Sequence, residues 1–219
     1  MSGLHAVLFD MDGTLVDSEE VWLDVVETAV VRRGRSLDPA RRSAVTGRSV
    51  DDTAAVLHTW LGTAEEELAA ELGADFAARL AVAAAPRPGA LRLLAALRAR
   101  RVPTALVSAS PRAVVEQVAR TLDGHRFDAL FGAEDTARTK PAPDPYLAAA
   151  AALGADPRRC VAVEDSPTGV ASAVAAGCRV LAVPSVEPLT ATGNVTLVRS
   201  LTEVDPELLR SLVPPVPTA

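Results

Sequence analysis

Lysine is almost missing from this chain of 219 residues. Its 22 basic side chains include one lysine, Lys140, beside 21 arginines. Aromatic residues make up only 3%, so alanine, valine and leucine must fill any core, which suits helices packed on a parallel sheet. Two cysteines, Cys160 and Cys178, stand alone without a CxxC or Cys/His spacing, and the three histidines are scattered. That pattern argues against a zinc site and for two buried thiols in a reducing compartment. A surplus of positive charge is missing too. The formal net charge is -6, which speaks against a nucleic-acid or anionic-membrane binder. No apolar run is long enough to span a bilayer and no basic leader opens the chain, so the expected location is the cytoplasm.

What is present is a change of rhythm. Leu4 to Phe9 reads as a buried strand. From Ser18 to Ala85 every pattern is helical: Ser18 as an N-cap before Glu19 and Glu20, Asp38-Pro39 and Ser49 as further starts, and Thr63 with Glu66 as a capping box. Beyond Pro86-Arg87-Pro88-Gly89 helix and strand alternate. Strands are expected at Thr104–Val107, Ala129–Phe131, Cys160–Val163, Arg179–Val183 and Thr196–Val198. Ser110, Asp144, Ser166 and Asp205 are the expected helix caps. The alternation predicts an α/β fold, a doubly wound parallel sheet built by right-handed crossovers, with an inserted all-helical module. The expected division is 1–16 and 87–219 for the core and 17–86 for the insert. The apolar, proline-rich tail from Val213 to Pro217 is expected to be extended.

Ligands of such a sheet bind beyond the carboxyl ends of its strands, and the polar residues fall there. Asp10-Met11-Asp12-Gly13-Thr14 leaves the first strand with two carboxylates one residue apart. One can attack phosphorus covalently and the other can move protons; the pair also reads as a plain turn. Glu164-Asp165-Ser166-Pro167 offers hard oxygen ligands suited to magnesium, or simply a cap. Ser108 is placed to meet a phosphate oxygen at a helix start, with Ser110 taken as the capping serine. Lys140, the single lysine, marks a place that wants a compact ammonium beside Pro141. Arg48, in Thr46-Gly47-Arg48-Ser49, is either a contact for a substrate oxygen or a solvated arginine.

Phe9-Asp10-Met11-Asp12-Gly13-Thr14-Leu15, Val107-Ser108, Lys140-Pro141 and Val163-Glu164-Asp165-Ser166 together resemble the haloacid dehalogenase superfamily, in its phosphatase and phosphoglucomutase branch with a helical cap. The resemblance implies Asp10 as nucleophile and metal ligand. It implies Asp12 as general acid/base, with its backbone carbonyl on magnesium. Ser108, Lys140 and the amides of Met11, Asp12 and Ala109 would hold the phosphoryl group. Asp165 would bind Mg2+ directly, and Glu164 directly or through water. Dehalogenases of the superfamily lack the second aspartate, so Asp12 favours phosphoryl transfer, and phosphonate cleavage needs a cap lysine this chain does not have. Hydrolysis of a small phosphorylated metabolite is favoured over a sugar-phosphate mutase. A receiver-like signalling domain shares the chemistry but not the order of motifs. A monomer or small homo-oligomer is expected, with a cap that selects substrate and moves about its two linkers.

Overall fold

The computed structural model describes residues 3–46, 48–83 and 85–214. The chain divides into two compact units, Met1–Val16 with Pro86–Ala219 and Asp17–Ala85. No helix among the described residues is long and apolar enough to cross a membrane.

The larger unit is built on strands β1 (Ala6–Phe9), β4 (Thr104–Val107), β5 (Ala129–Phe131), β6 (Cys160–Glu164), β7 (Arg179–Ala182) and β8 (Val195–Leu197). They form one sheet in the order β5-β4-β1-β6-β7-β8, and the strand pairs are parallel. Every residue of β1, β4 and β6 is buried, the continuous apolar run expected of strands covered on both faces. Leu8 pairs with Ala105 on one side and Ala162 on the other, which fixes the register at the centre. The chain leaves β1 for β4 and β5, then returns across it to β6. The carboxyl end of β1 is therefore the point where the winding reverses and a crevice opens. Helices α5 (Ala90–Ala99), α6 (Arg112–Thr121), α7 (Asp144–Ala152), α8 (Pro167–Ala175) and α9 (Pro206–Ser211) complete this unit. Tyr146, Ala149 and Ala150 of α7 pack with Ala6, Leu8, Ala105 and Ala162 of the strands. Cys160 and Cys178 belong to the same core as free thiols. Burial pushes both up to about 12, so neither is a ready thiolate.

The smaller unit holds α1 (Glu19–Arg32), α2 (Pro39–Val45), α3 (Val50–Leu61) and α4 (Glu65–Ala83). Trp22, Val25, Val26, Ala29 and Val30 of α1 bury one stripe against Ala54, Leu57, Leu68 and Leu72, the i, i+3, i+4 spacing of an amphipathic helix. Trp22 sets its ring edge-on to Phe76, centroids 5.3 Å apart, and gives its N–H to the Val45 carbonyl at 3.3 Å. Two-residue strands β2 (Val16–Asp17) and β3 (Ala85–Pro86) lie where the chain passes between the units. The second of them is a short extended piece at the end of a stretch whose sequence pattern is wholly helical.

The structure separates the serine and aspartate caps into two kinds. Asp38, Ser49, Ser166 and Asp205 accept backbone N–H groups of the following turn. Ser18, Ser110 and Asp144 do not cap. Ser18 already has helical dihedrals (φ -89°, ψ -17°), which turn its hydroxyl from the first amides. Asp144 is the first residue of α7, and its carboxylate takes both forks of Arg138 at 3.1 and 2.8 Å. Helix α4 starts at Glu65, and Thr63 reaches Glu67 at 3.2 Å instead of closing a box with Glu66. Ser110 is drawn away by the site. Of the tail, Pro215 to Pro217 lie outside the described residues.

Candidate active site

Three strand ends converge. The N–H of Asp10, just past β1, is held by the Val163 carbonyl at 3.0 Å; that of Ser108, just past β4, by the Phe131 carbonyl at 3.0 Å. Glu164 is the last residue of β6 and Asp165 follows it. Asp10, Ser108, Glu164 and Asp165 thus stand at or just past the carboxyl ends of strands whose residues are buried.

Lys140 comes from the loop before α7 and ties the ends together. Its ammonium is 2.6 Å from Asp10 Oδ1, 2.6 Å from Glu164 Oε1 and 3.0 Å from the Val107 carbonyl, so its three donors are all used. Burial would lower its pKa, but Asp10 and Glu164 outweigh burial and hold it above its ordinary value. Lys140 also lies 5.2 Å from the ring centroid of buried Tyr146, whose hydroxyl donates to the same Glu164 oxygen at 2.6 Å. Glu164 is fully buried. Its other oxygen accepts the Asp165 N–H at 3.2 Å and the Ser166 hydroxyl at 3.3 Å. Gly169 allows this: a Cβ there would collide with the Glu164 carboxyl group.

Asp12 is held by two serines. Ser108 and Ser110 each donate a hydroxyl to its Oδ2 at 2.9 Å, and the Ser110 N–H returns to Ser108 Oγ at 2.9 Å. Ser108 is therefore not a free hydroxyl, and Ser110 belongs to the site. Asp12 Oδ1 is buried with no partner. Burial raises the Asp12 pKa, and the two serines oppose the rise.

Asp165 accepts Thr14 Oγ1 at 3.2 Å on one oxygen and the Ser185 hydroxyl on the other. Burial pushes it up to about 6 despite these donors. Gly13, at φ +77°, brings the first loop so close that a Cβ would strike Asp165 Oδ2. Asp10 is raised well above the usual carboxylate range by burial, with Lys140 pulling the other way. Its Oδ2 is buried and has no partner.

Asp10, Asp12, Glu164 and Asp165 crowd around a single ammonium. Buried carboxylates outnumber their counter-charge, an arrangement that is costly without a cation. Asp10, Glu164 and Asp165 each offer a carboxylate oxygen, all within 4.8 Å of one another. With the unpartnered Asp10 Oδ2, this set of hard donors fits a divalent metal. The Asp12 side chain is not part of that set.

Met11 is fully buried, and Ala109 is exposed in the loop between Ser108 and Ser110. Arg48 lies in the helical unit, exposed between α2 and α3. Its neighbour Gly47 is outside the described residues. Sequence reasoning misses Ser110, Tyr146 and Ser185. A serine two residues after Ser108 is the one local signal, and it reads as a cap.

Known proteins with similar sequences and folds carry matching descriptions. A family model for haloacid dehalogenase-like hydrolases matches residues 4–177. The chain is 33% identical over 183 residues to a bifunctional riboflavin kinase/FMN phosphatase of Arabidopsis thaliana; the match takes in 82% of this chain and 48% of that protein, about half its length. It is 34% identical over 187 residues to hexitol phosphatase B of Escherichia coli K12, covering 83% of this chain and 84% of the other. A crystal structure of a HAD family hydrolase from Deinococcus radiodurans, with bound phosphate and sodium, superposes with a TM-score of 0.73 at 29% identity, over 99% of this chain and 100% of that one. The family model spans most of the chain, the relatives exceed 30% identity, and the chain belongs to the haloacid dehalogenase-like hydrolases.

Proposed function

We propose that this enzyme hydrolyses a small phosphomonoester, a sugar or polyol phosphate, with Asp10 as nucleophile. The observation that carries the reading is the pair of carboxylates leaving β1, buried Asp10 locked to Lys140 and half-buried Asp12 to two serines. A carboxylate oxygen of Asp10 attacks phosphorus and the ester oxygen departs, leaving an aspartyl phosphate. Asp12 gives its proton to the departing oxygen, then takes one from the water that releases phosphate. Both serine donors lie on Oδ2, so Oδ1 is the oxygen left to carry that proton. Lys140 fixes the rotation of Asp10 and sets a positive charge where phosphoryl oxygens gather. The N–H groups of Met11, Asp12 and Ala109 are proposed to cradle those oxygens, and Ser108 joins them when its hydroxyl turns from Asp12 to the phosphoryl group.

Asp10 and Asp165, with the backbone carbonyl of Asp12, would hold Mg2+. Glu164, whose two oxygens already accept four donors, would act through water and by its charge. The ion supplies screening of the negative charge on the phosphoryl group and on Asp10. The helical unit is proposed as the substrate-selecting cap, with Arg48 as its contact to substrate oxygens. The names of the two phosphatase relatives support hydrolysis rather than transfer.

The test is a panel of phosphorylated metabolites, polyol and sugar phosphates first, assayed for free phosphate with magnesium. At least one should be turned over by the wild type and none by Asp10→Asn. Full activity in Asp10→Asn overturns the nucleophile, and a hexose 1-phosphate converted to its 6-phosphate without free phosphate overturns hydrolysis.

A further inference from the structure

The amino-terminal end of β4 carries a second, differently built cavity. It has a volume of about 270 Å³ and is walled by Arg98, Arg101 and Arg126 with Thr104, His125 and Asp128. Arg101 and Arg126 are exposed and have no carboxylate partner among the described residues, and Arg98 reaches only the Gly124 carbonyl, at 3.4 Å. Elsewhere Arg32, Arg33, Arg42, Arg79, Arg112, Arg138 and Arg158 face acids, and what sets this cavity apart is that three arginines line it together. Three guanidinium groups here meet one carboxylate, Asp128, and one of its oxygens already accepts the Thr104 N–H at 2.8 Å. The Thr104 carbonyl accepts the Asp128 N–H at 2.8 Å, so this wall is closed on both backbone groups. His125 is 8% exposed. Its Nε2 faces Thr104 Oγ1 at 3.0 Å, and its Nδ1 is buried without a partner. Burial and the nearby Arg98 hold the ring below its ordinary pKa, so it adds a neutral dipole and no charge.

A surplus of two positive charges, in a chain of net charge -6, is matched by an anion of charge two. A tetrahedral dianion also offers enough oxygens for three guanidinium forks, which a single carboxylate does not. We propose that this cavity is an accessory binding site for a dianionic phosphate group, free or on a small metabolite, at the opposite end of β4 from Ser108. The inference does not depend on the catalytic reading.

Backbone NMR of the isotope-labelled full chain, kept in chelator to prevent turnover, separates the two ends of the strand. Inorganic phosphate is titrated at constant ionic strength, then a polyol phosphate. The Thr104 and Asp128 amides should follow a saturating curve in both titrations, and the tighter of the two ligands names the source. Arg101→Ala with Arg126→Ala should weaken that curve at least about tenfold, the scale of one lost charge-assisted contact. In the double variant the Ala109 and Met11 amides should respond as they do in the wild type, and the rate of phosphate release, assayed separately with magnesium, should be unchanged. Non-saturating drift of the Thr104 and Asp128 signals, or an unchanged curve in the double variant, overturns the proposal. Failure of the catalytic reading would register instead at Ala109 and Met11.

Discussion

Strand β4 joins two ends of opposite character. At its carboxyl end, buried carboxylates crowd one ammonium and every donor of Lys140 is used. At its amino end, exposed arginines outnumber a single acid, and the histidine between them is neutral. Removed from water, each unpaired charge is costly, so the first end holds its side chains rigidly and asks for a cation. The second end keeps its charges in solvent, where they are cheap to leave unpaired and free to meet an anion. One strand thus separates a site built by burial from one built by surplus charge.

The contrast breaks most readily at the acidic end. Asp12→Ala removes the proposed proton carrier while leaving Asp10 and Lys140 in place, and steady-state release of phosphate should fall by about 10²–10⁴-fold. A loss below tenfold would place the proton elsewhere. Lys140→Met tests the charge balance itself. It strands Asp10 and Glu164 without their ammonium, and urea unfolding should report a loss of about 3–5 kcal/mol. An unchanged unfolding midpoint would mean the carboxylates were not held by it.

A finer test is Tyr146→Phe, which deletes one hydroxyl donor to Glu164 and keeps the ring under Lys140. The cost should be about 1.5–3 kcal/mol by the same measurement, the range for one lost hydrogen bond to a charged group, since Lys140 still donates to that oxygen. The smallest effect belongs to the amino end. His125 is kept neutral in the fold, whereas the unfolded chain takes up its proton below about pH 6.5. Its contribution to stability is complete above that pH. It is lost as the pH falls through that value toward the depressed folded pKa. Thermal melts from pH 8 to 5 should therefore lose stability less steeply in His125→Gln than in the wild type. Parallel profiles would show that the ring titrates alike in both states.

Much of the catalytic end is legible in the sequence, because its chemistry is written in contiguous motifs. Asp10 and Asp12 share one loop, Glu164 and Asp165 another, and a lone lysine is conspicuous among 21 arginines. The apolar runs of β1, β4 and β6 also announce a buried parallel sheet. The hydroxyls that orient these groups are not legible. Ser110 looks like a cap because serine before a helix usually is one. Its partner Asp12 is 98 residues earlier, and no local spacing reports that contact. Tyr146 reads as one more apolar residue on α7, and Ser185 as part of a loop. Each acquires meaning only through the carboxylate it touches, Glu164 or Asp165.

The sequence by itself determined the sheet, the helical insert and the acids and lysine of the site, because periodicity and adjacent motifs are local properties of a chain. Only the tertiary structure decided which oxygen of each carboxylate is bound and which is left bare, that Glu164 is saturated by protein donors while Asp10 Oδ2 has none, and that three arginines share one cavity. Those outcomes depend on hydrogen bonds and charges between strand ends and loops far apart in the chain. Their strength is set by how completely the fold removes them from water.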